Sequence, residues 1–158
     1  MKRAQAPLRQ LTLAEVEIDI SLEPEDIPVE GNLIASGDDE ADAADNAAVL
    51  ERLEQGDESA WCCMVVTASW TSAAGDEYCG RATLGCCNFA PGSGRETAKQ
   101  SEELAALYGM QEEALAELNE RLADVVNSAA NLGTELRSGL KSELGAKRRN
   151  ARRRVKSC

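Results

Sequence analysis

The sequence predicts an α+β fold, a short antiparallel β-sheet packed against one long helix, and three observations carry that prediction. Apolar and polar residues alternate strictly over residues 15–23, as they do in a strand with one face buried. Two runs rich in Trp, Val and Thr, at 59–71 and 78–89, flank the turn signal Ala73-Ala74-Gly75-Asp76. Leucines then recur at helical spacing over residues 96–126.

Taken in order, residues 1–14 have no sustained pattern and contain Pro7, which predicts a flexible lead-in. In the first strand Val16, Ile18, Ile20 and Leu22 share one face, and Glu15, Glu17, Asp19, Ser21 and Glu23 share the other. Pro24 and Pro28 remove backbone donors just afterwards, so this acidic strand belongs at a sheet edge. Ser36-Gly37-Asp38-Asp39 has the character of a helix start, because a Ser or Asp side chain caps free amides and acids favour the positive end of the dipole. The helix it opens is predicted over 39–55 with Gly56 as its stop, a narrow stripe of Ala43, Ala47, Val49, Leu50 and Leu53, and acid elsewhere.

A turn centred between Ala74 and Gly75 pairs Cys62 with Cys87, Cys63 with Cys86, and Val65 with Leu84. Pro91-Gly92-Ser93-Gly94 ends the sheet. In the long helix, Leu104, Leu107, Leu115, Leu118, Leu122 and Val126 mark the packed stripe, and Tyr108-Gly109-Met110 is a point of kinking. Leu132, Leu136, Leu140 and Leu144 continue the pattern weakly towards the carboxy terminus. The division predicted is a lead-in over 1–14, a single α+β domain over 15–126, and a helical extension with a disordered or helical basic tail over 127–158.

The 158 residues carry a net charge of −11, distributed very unevenly. Between Glu15 and Glu58 stand sixteen carboxylates and one cation, Arg52. From Lys147 to Cys158 there are seven cations, Lys147, Arg148, Arg149, Arg152, Arg153, Arg154 and Lys156, and no acid. Such polarity speaks of partners: dense acid repels nucleic acid and is drawn to the basic grooves of proteins that hold it. With only five aromatics, the core must be small. Residues 1–13 hold no apolar run of signal-peptide length, and no segment approaches the roughly 20 apolar residues of a membrane span. The expectation is a protein of the cytoplasm with reduced thiols.

Histidine is absent, which removes the usual general base and the usual activator of a nucleophile, so the chain is expected not to be an enzyme. Neither a phosphate-cradling loop nor a dinucleotide fingerprint follows a strand, and no cofactor is expected. The pairs Cys62-Cys63 and Cys86-Cys87 admit three readings: small core residues, a redox pair, or metal ligands. Adjacent cysteines of a strand point to opposite faces, which makes one ion bound by all four awkward. The carboxylates likewise admit a solvated face, a docking surface for a basic partner, or a magnesium site. As a docking surface they comprise Asp38, Asp39, Glu40, Asp42, Asp45, Glu51, Glu54, Asp57 and Glu58. The basic tail lacks interleaved aromatics on which bases would stack, which leaves it phosphate contact without sequence readout.

Several stretches resemble small accessory proteins of phages and plasmids: Asp26-Ile27-Pro28-Val29-Glu30-Gly31-Asn32, Ala35-Ser36-Gly37-Asp38-Asp39, Ala60-Trp61-Cys62, Leu84-Gly85-Cys86, and Glu113-Ala114-Leu115-Ala116-Glu117-Leu118. The resemblance covers about residues 26–122, and the chain after Leu122 departs from it. It implies work against host defence inside a bacterial host cell, and the small, acidic, histidine-free chain looks like anti-CRISPR inhibitors in type. Such inhibitors occupy the nucleic-acid groove of a nuclease complex, here a CRISPR effector or similar. The alternatives are an antitoxin or small regulator whose basic tail touches DNA, and a thiol-based metal module.

Overall fold

In the computed structural model, residues 9–33 and 36–155 are described, with side chains described as far as Arg137. The chain is α+β: a three-stranded antiparallel sheet, β1(Glu17–Pro24), β2(Cys62–Thr71) and β3(Glu77–Cys87), in the order β1-β2-β3, with helices α1(Asp39–Glu54), α2(Gly94–Leu107) and α3(Met110–Val155). Residues 1–8, 34, 35 and 156–158 lie outside the described residues. The chain divides into two compact units, 1–119 and 120–158.

In the first unit, β1 takes the edge as its prolines require, and its Ile18, Ile20 and Leu22 oppose Ala68, Val66 and Met64. That row shares a face with Ala82 and Gly80 of β3, and there Met64, Val66 and Ala68 are fully buried. The first part of α3 closes on this face, where Ala114 and Leu118 stand against Gly80. The opposite face carries Glu17, Asp19, Glu23, Thr67 and Arg81, and Arg81 ion-pairs with Glu23. Of its residues only the central Val65 is fully buried.

Three expectations need correction. Residues 9–14 are held rather than loose: Leu11 N–H donates to Asn119 Oδ1 at 2.8 Å, Asn119 Nδ2 returns a bond to the Leu11 carbonyl at 3.2 Å, and a 3-10 turn follows at Leu13–Glu15. The helix expected over 96–126 is two helices, because Gly109 adopts φ 64°, a left-handed conformation that ends α2. Ser93 caps α2 in a reciprocal box with Glu96.

The hairpin register is also shifted by one. Val65 opposes Thr83, not Leu84, because the turn spans Ser72 to Asp76 around Gly75 at φ 92°. Cys62 still opposes Cys87, since β3 spends three residues from Leu84 to Cys87 where β2 spends two from Met64 to Cys62. This β-bulge leaves Cys63 and Cys86 out of the ladder, and Cys86 adopts φ 56°. Glu25 braces it: its Oε2 accepts the Cys86 amide at 2.7 Å, which holds the Glu25 carboxyl below its ordinary pKa.

Candidate interaction surface

The acidic helix α1 begins where Asp38 accepts the amides of Glu40 and Ala41 at 3.0 and 3.2 Å. Asp42 turns back to take the Ser36 hydroxyl at 2.6 Å and amide at 2.7 Å, and these bonds lower its pKa. Only Val49 of the helix is buried, in a cluster with Val29, Ala60 and Trp61 that Leu50, Leu53 and Cys86 extend. Trp61 fixes the cluster to the preceding loop by donating Nε1–H to the Ile27 carbonyl at 2.7 Å. The helix therefore sits beside the bulged end of the sheet and keeps most of its surface in water.

Arg52 decides the electrostatics of that surface. Its guanidinium turns inward, the side chain 17% exposed, and donates Nε and Nη2 to Asp57 Oδ2 at 2.9 and 2.7 Å. Nη1 donates to the Phe89 carbonyl at 2.8 Å and to Asn88 Oδ1 at 3.3 Å. Asp57 also accepts the Ser59 hydroxyl at 2.6 Å, and that bond, ahead of Arg52, lowers its pKa. The one cation of the acidic stretch is thus spent on anchoring α1 to the end of β3, and none of its charge offsets the acids that face solvent.

Of the nine carboxylates expected to form a docking surface, Asp38, Asp42 and Asp57 therefore hold local structure. Asp39, Glu40, Asp45, Glu51, Glu54 and Glu58 are exposed. At 3.6 residues per turn, Glu40, Glu51 and Glu54 fall on the side of α1 away from Val49, with Ala44 and Ala47 between them. Sequence reasoning missed Glu25 as the brace of the bulge, and nothing in its local pattern marks it. The inward role of Arg52 had a visible signal, a lone cation amid acid.

The thiols of Cys62, Cys63, Cys79, Cys86 and Cys87 are free, and Cys158 lies outside the described residues. Burial pushes the Cys62 thiol up to about 12 and raises Cys87 as well. Burial, then Glu25 and Glu23, raise Cys63. These thiols are packed between strands and resist becoming thiolates, so the small-core reading fits Cys62 and Cys87. Among the described residues no group of three or more His, Cys, Asp or Glu is placed to hold a metal ion, which leaves both metal readings without support. Iodoacetamide at about pH 8 is expected to alkylate native Cys62 and Cys87 last, detectable by mass mapping; early labelling of either would contradict their burial.

A groove of about 840 Å³ runs between the apolar row of β1 and α2, walled by Ile18, Ile20, Leu22, Thr97 and Ser101. Its charged lining, Asp19, Asp57 and Glu102, is wholly acidic. Among the described residues no helix is long and apolar enough to cross a membrane. The basic residues Lys147, Arg148, Arg149, Arg152, Arg153 and Arg154 lie on the helical backbone of α3, their side chains outside the described residues. Comparison with protein-family models, with curated proteins and with solved structures finds no match to this chain.

Proposed function

We propose that the protein is a non-enzymatic inhibitor that docks through the acidic surface of α1 into a cationic, nucleic-acid-binding groove of a host protein complex, in the manner of anti-CRISPR proteins. The observation that supports it is the set of six exposed carboxylates, Asp39, Glu40, Asp45, Glu51, Glu54 and Glu58, on a stretch whose only cation is turned inward. Carboxylates at solvent on a helix anchored at its carboxy-terminal end present negative charge where phosphates would sit. Complementary fields of this kind speed association by about ten- to a thousandfold and make it salt-sensitive.

A second reading, an antitoxin or small regulator, draws support from α3, whose backbone stays helical through Val155 and so displays the basic residues in regular order. One experiment tests both. The full chain, a variant with the six exposed acids changed to Asn or Gln, and a chain ending at Ala146 are immobilised and exposed to bacterial lysate. Nucleic-acid-binding proteins released by added DNA and by salt, and missing from the six-fold variant, are the expected result. Asp38, Asp42 and Asp57 stay unchanged so that the fold is preserved. Undiminished capture by the six-fold variant sinks the inhibitor reading. Loss of direct DNA retention only in the shortened chain would favour the regulator.

A further inference from the structure

Along α3 one stripe of apolar residues goes from covered to bare. Leu118 is fully buried and Leu122 half-buried, whereas Val125 is 45%, Leu132 61% and Leu136 68% exposed. The positions Leu122, Val125, Ala129, Leu132 and Leu136 are spaced three, four, three and four residues apart. That is the alternation of a heptad seam, in which each turn of two presents an apolar side chain to the same line. Val126, 42% exposed, widens the line at one flank. The remaining described positions around it, Asp124, Asn127, Ser128, Asn131 and Thr134, are polar.

An isolated helix is marginal in water, and most helical stability comes from packing an apolar face. Among the described residues of 120–158 this face has no such packing. A seam this narrow suits two strands, not a broad bundle. Charge identifies the second strand. The start of α3 is acidic, with Glu112, Glu113, Glu117, Glu120 and Asp124, and its end carries seven cations from residue 147 onwards. Two copies of α3 laid antiparallel set each acidic start beside the other's basic end. Laid parallel, they would set the two basic ends side by side, where like charges repel.

We infer that α3 is a self-association helix: two copies of this chain pair antiparallel along Leu122, Val125, Ala129, Leu132 and Leu136. The pairing lies away from α1 and does not depend on the docking proposed above. Its consequence is a particle that carries two acidic helices, whose simultaneous engagement of repeated sites would raise avidity without a new contact.

The test is sedimentation equilibrium of the full chain with reductant present, so that thiols do not join copies. Twice the chain mass of 16.9 kDa is expected. Leu132→Lys and Leu136→Lys, both at exposed positions, are each expected to weaken pairing by about a hundredfold, because a charge enters the seam. Circular dichroism and Trp fluorescence of these variants should match the parent. Raising salt from about 0.05 M to about 0.5 M should weaken the antiparallel pair, since it screens the opposite charges that align it. A monomer at micromolar concentration, a larger oligomer, or pairing unaffected by both lysines would overturn the inference. Pairing that tightens with salt would overturn the antiparallel orientation.

Discussion

Replacing Gly80 with alanine is expected to lower stability by about 3 kcal/mol, and replacing it with valine to prevent folding of the sheet-and-helix unit. A Cβ at this position would lie 2.2 Å from the Ala114 carbonyl oxygen, 2.3 Å from the Leu118 amide nitrogen and 2.9 Å from Leu118 Cα. These are backbone atoms of α3, and no side-chain rotation can move them aside. Ala68 faces Gly80 across the ladder and is itself fully buried, so β3 has nowhere to retreat. The helix is seated on bare backbone, and a single methyl group must push it off the sheet. Urea denaturation followed by far-ultraviolet circular dichroism reads the effect, and an unchanged midpoint for Gly80→Ala would mean that α3 does not rest there.

Trp61→Ala is expected to cost about 3 to 5 kcal/mol and to release α1 from the rest of the fold. The indole is 4% exposed, fills the space among Val29, Val49 and Ala60, and satisfies the Ile27 carbonyl. Truncation leaves a cavity and an acceptor without its donor at the same site. Because α1 buries little else, its anchoring rests on this cluster together with Arg52. Trp61→Phe separates the two contributions: the ring stays, the hydrogen bond goes, and about 1 to 2 kcal/mol should be lost. Trp70 remains as a fluorescent reporter in both variants. Full retention of α1 helicity in Trp61→Ala, measured by amide exchange, would contradict the anchoring.

Much of this architecture was legible because it rests on local period. The alternation from Glu15 to Glu23 placed β1 and its acidic face, and Pro24 placed it at an edge. The start and stop of α1 were readable from Asp38 and Gly56, residues whose capping chemistry is short-range. What escaped depends on backbone choices that side-chain patterns do not announce. The hairpin register turned on a five-residue loop, and the bulge at Gly85-Cys86 on a carboxylate 61 residues away, Glu25. The division of the helix at Gly109 required the residue to take a left-handed conformation, where a kink would have kept one helix. On the acidic surface, composition identified the nine carboxylates but could not separate the three committed to caps and an ion pair from the six at solvent. That distinction follows from tertiary partners, Ser36, Ser59 and Arg52.

The surplus residue in β3 reaches further than the strand that contains it. By re-phasing the chain after Leu84 it sets Cys87 opposite Cys62, and two residues later Phe89 is 4% exposed with its amide on the Ser59 carbonyl and its own carbonyl on Arg52. A chain one residue shorter at that step would rotate Phe89 outward and withdraw the oxygen that Arg52 grips. The orientation of the acidic helix is therefore written in the parity of a neighbouring strand, so that length changes there would re-aim the charged surface without altering one of its carboxylates.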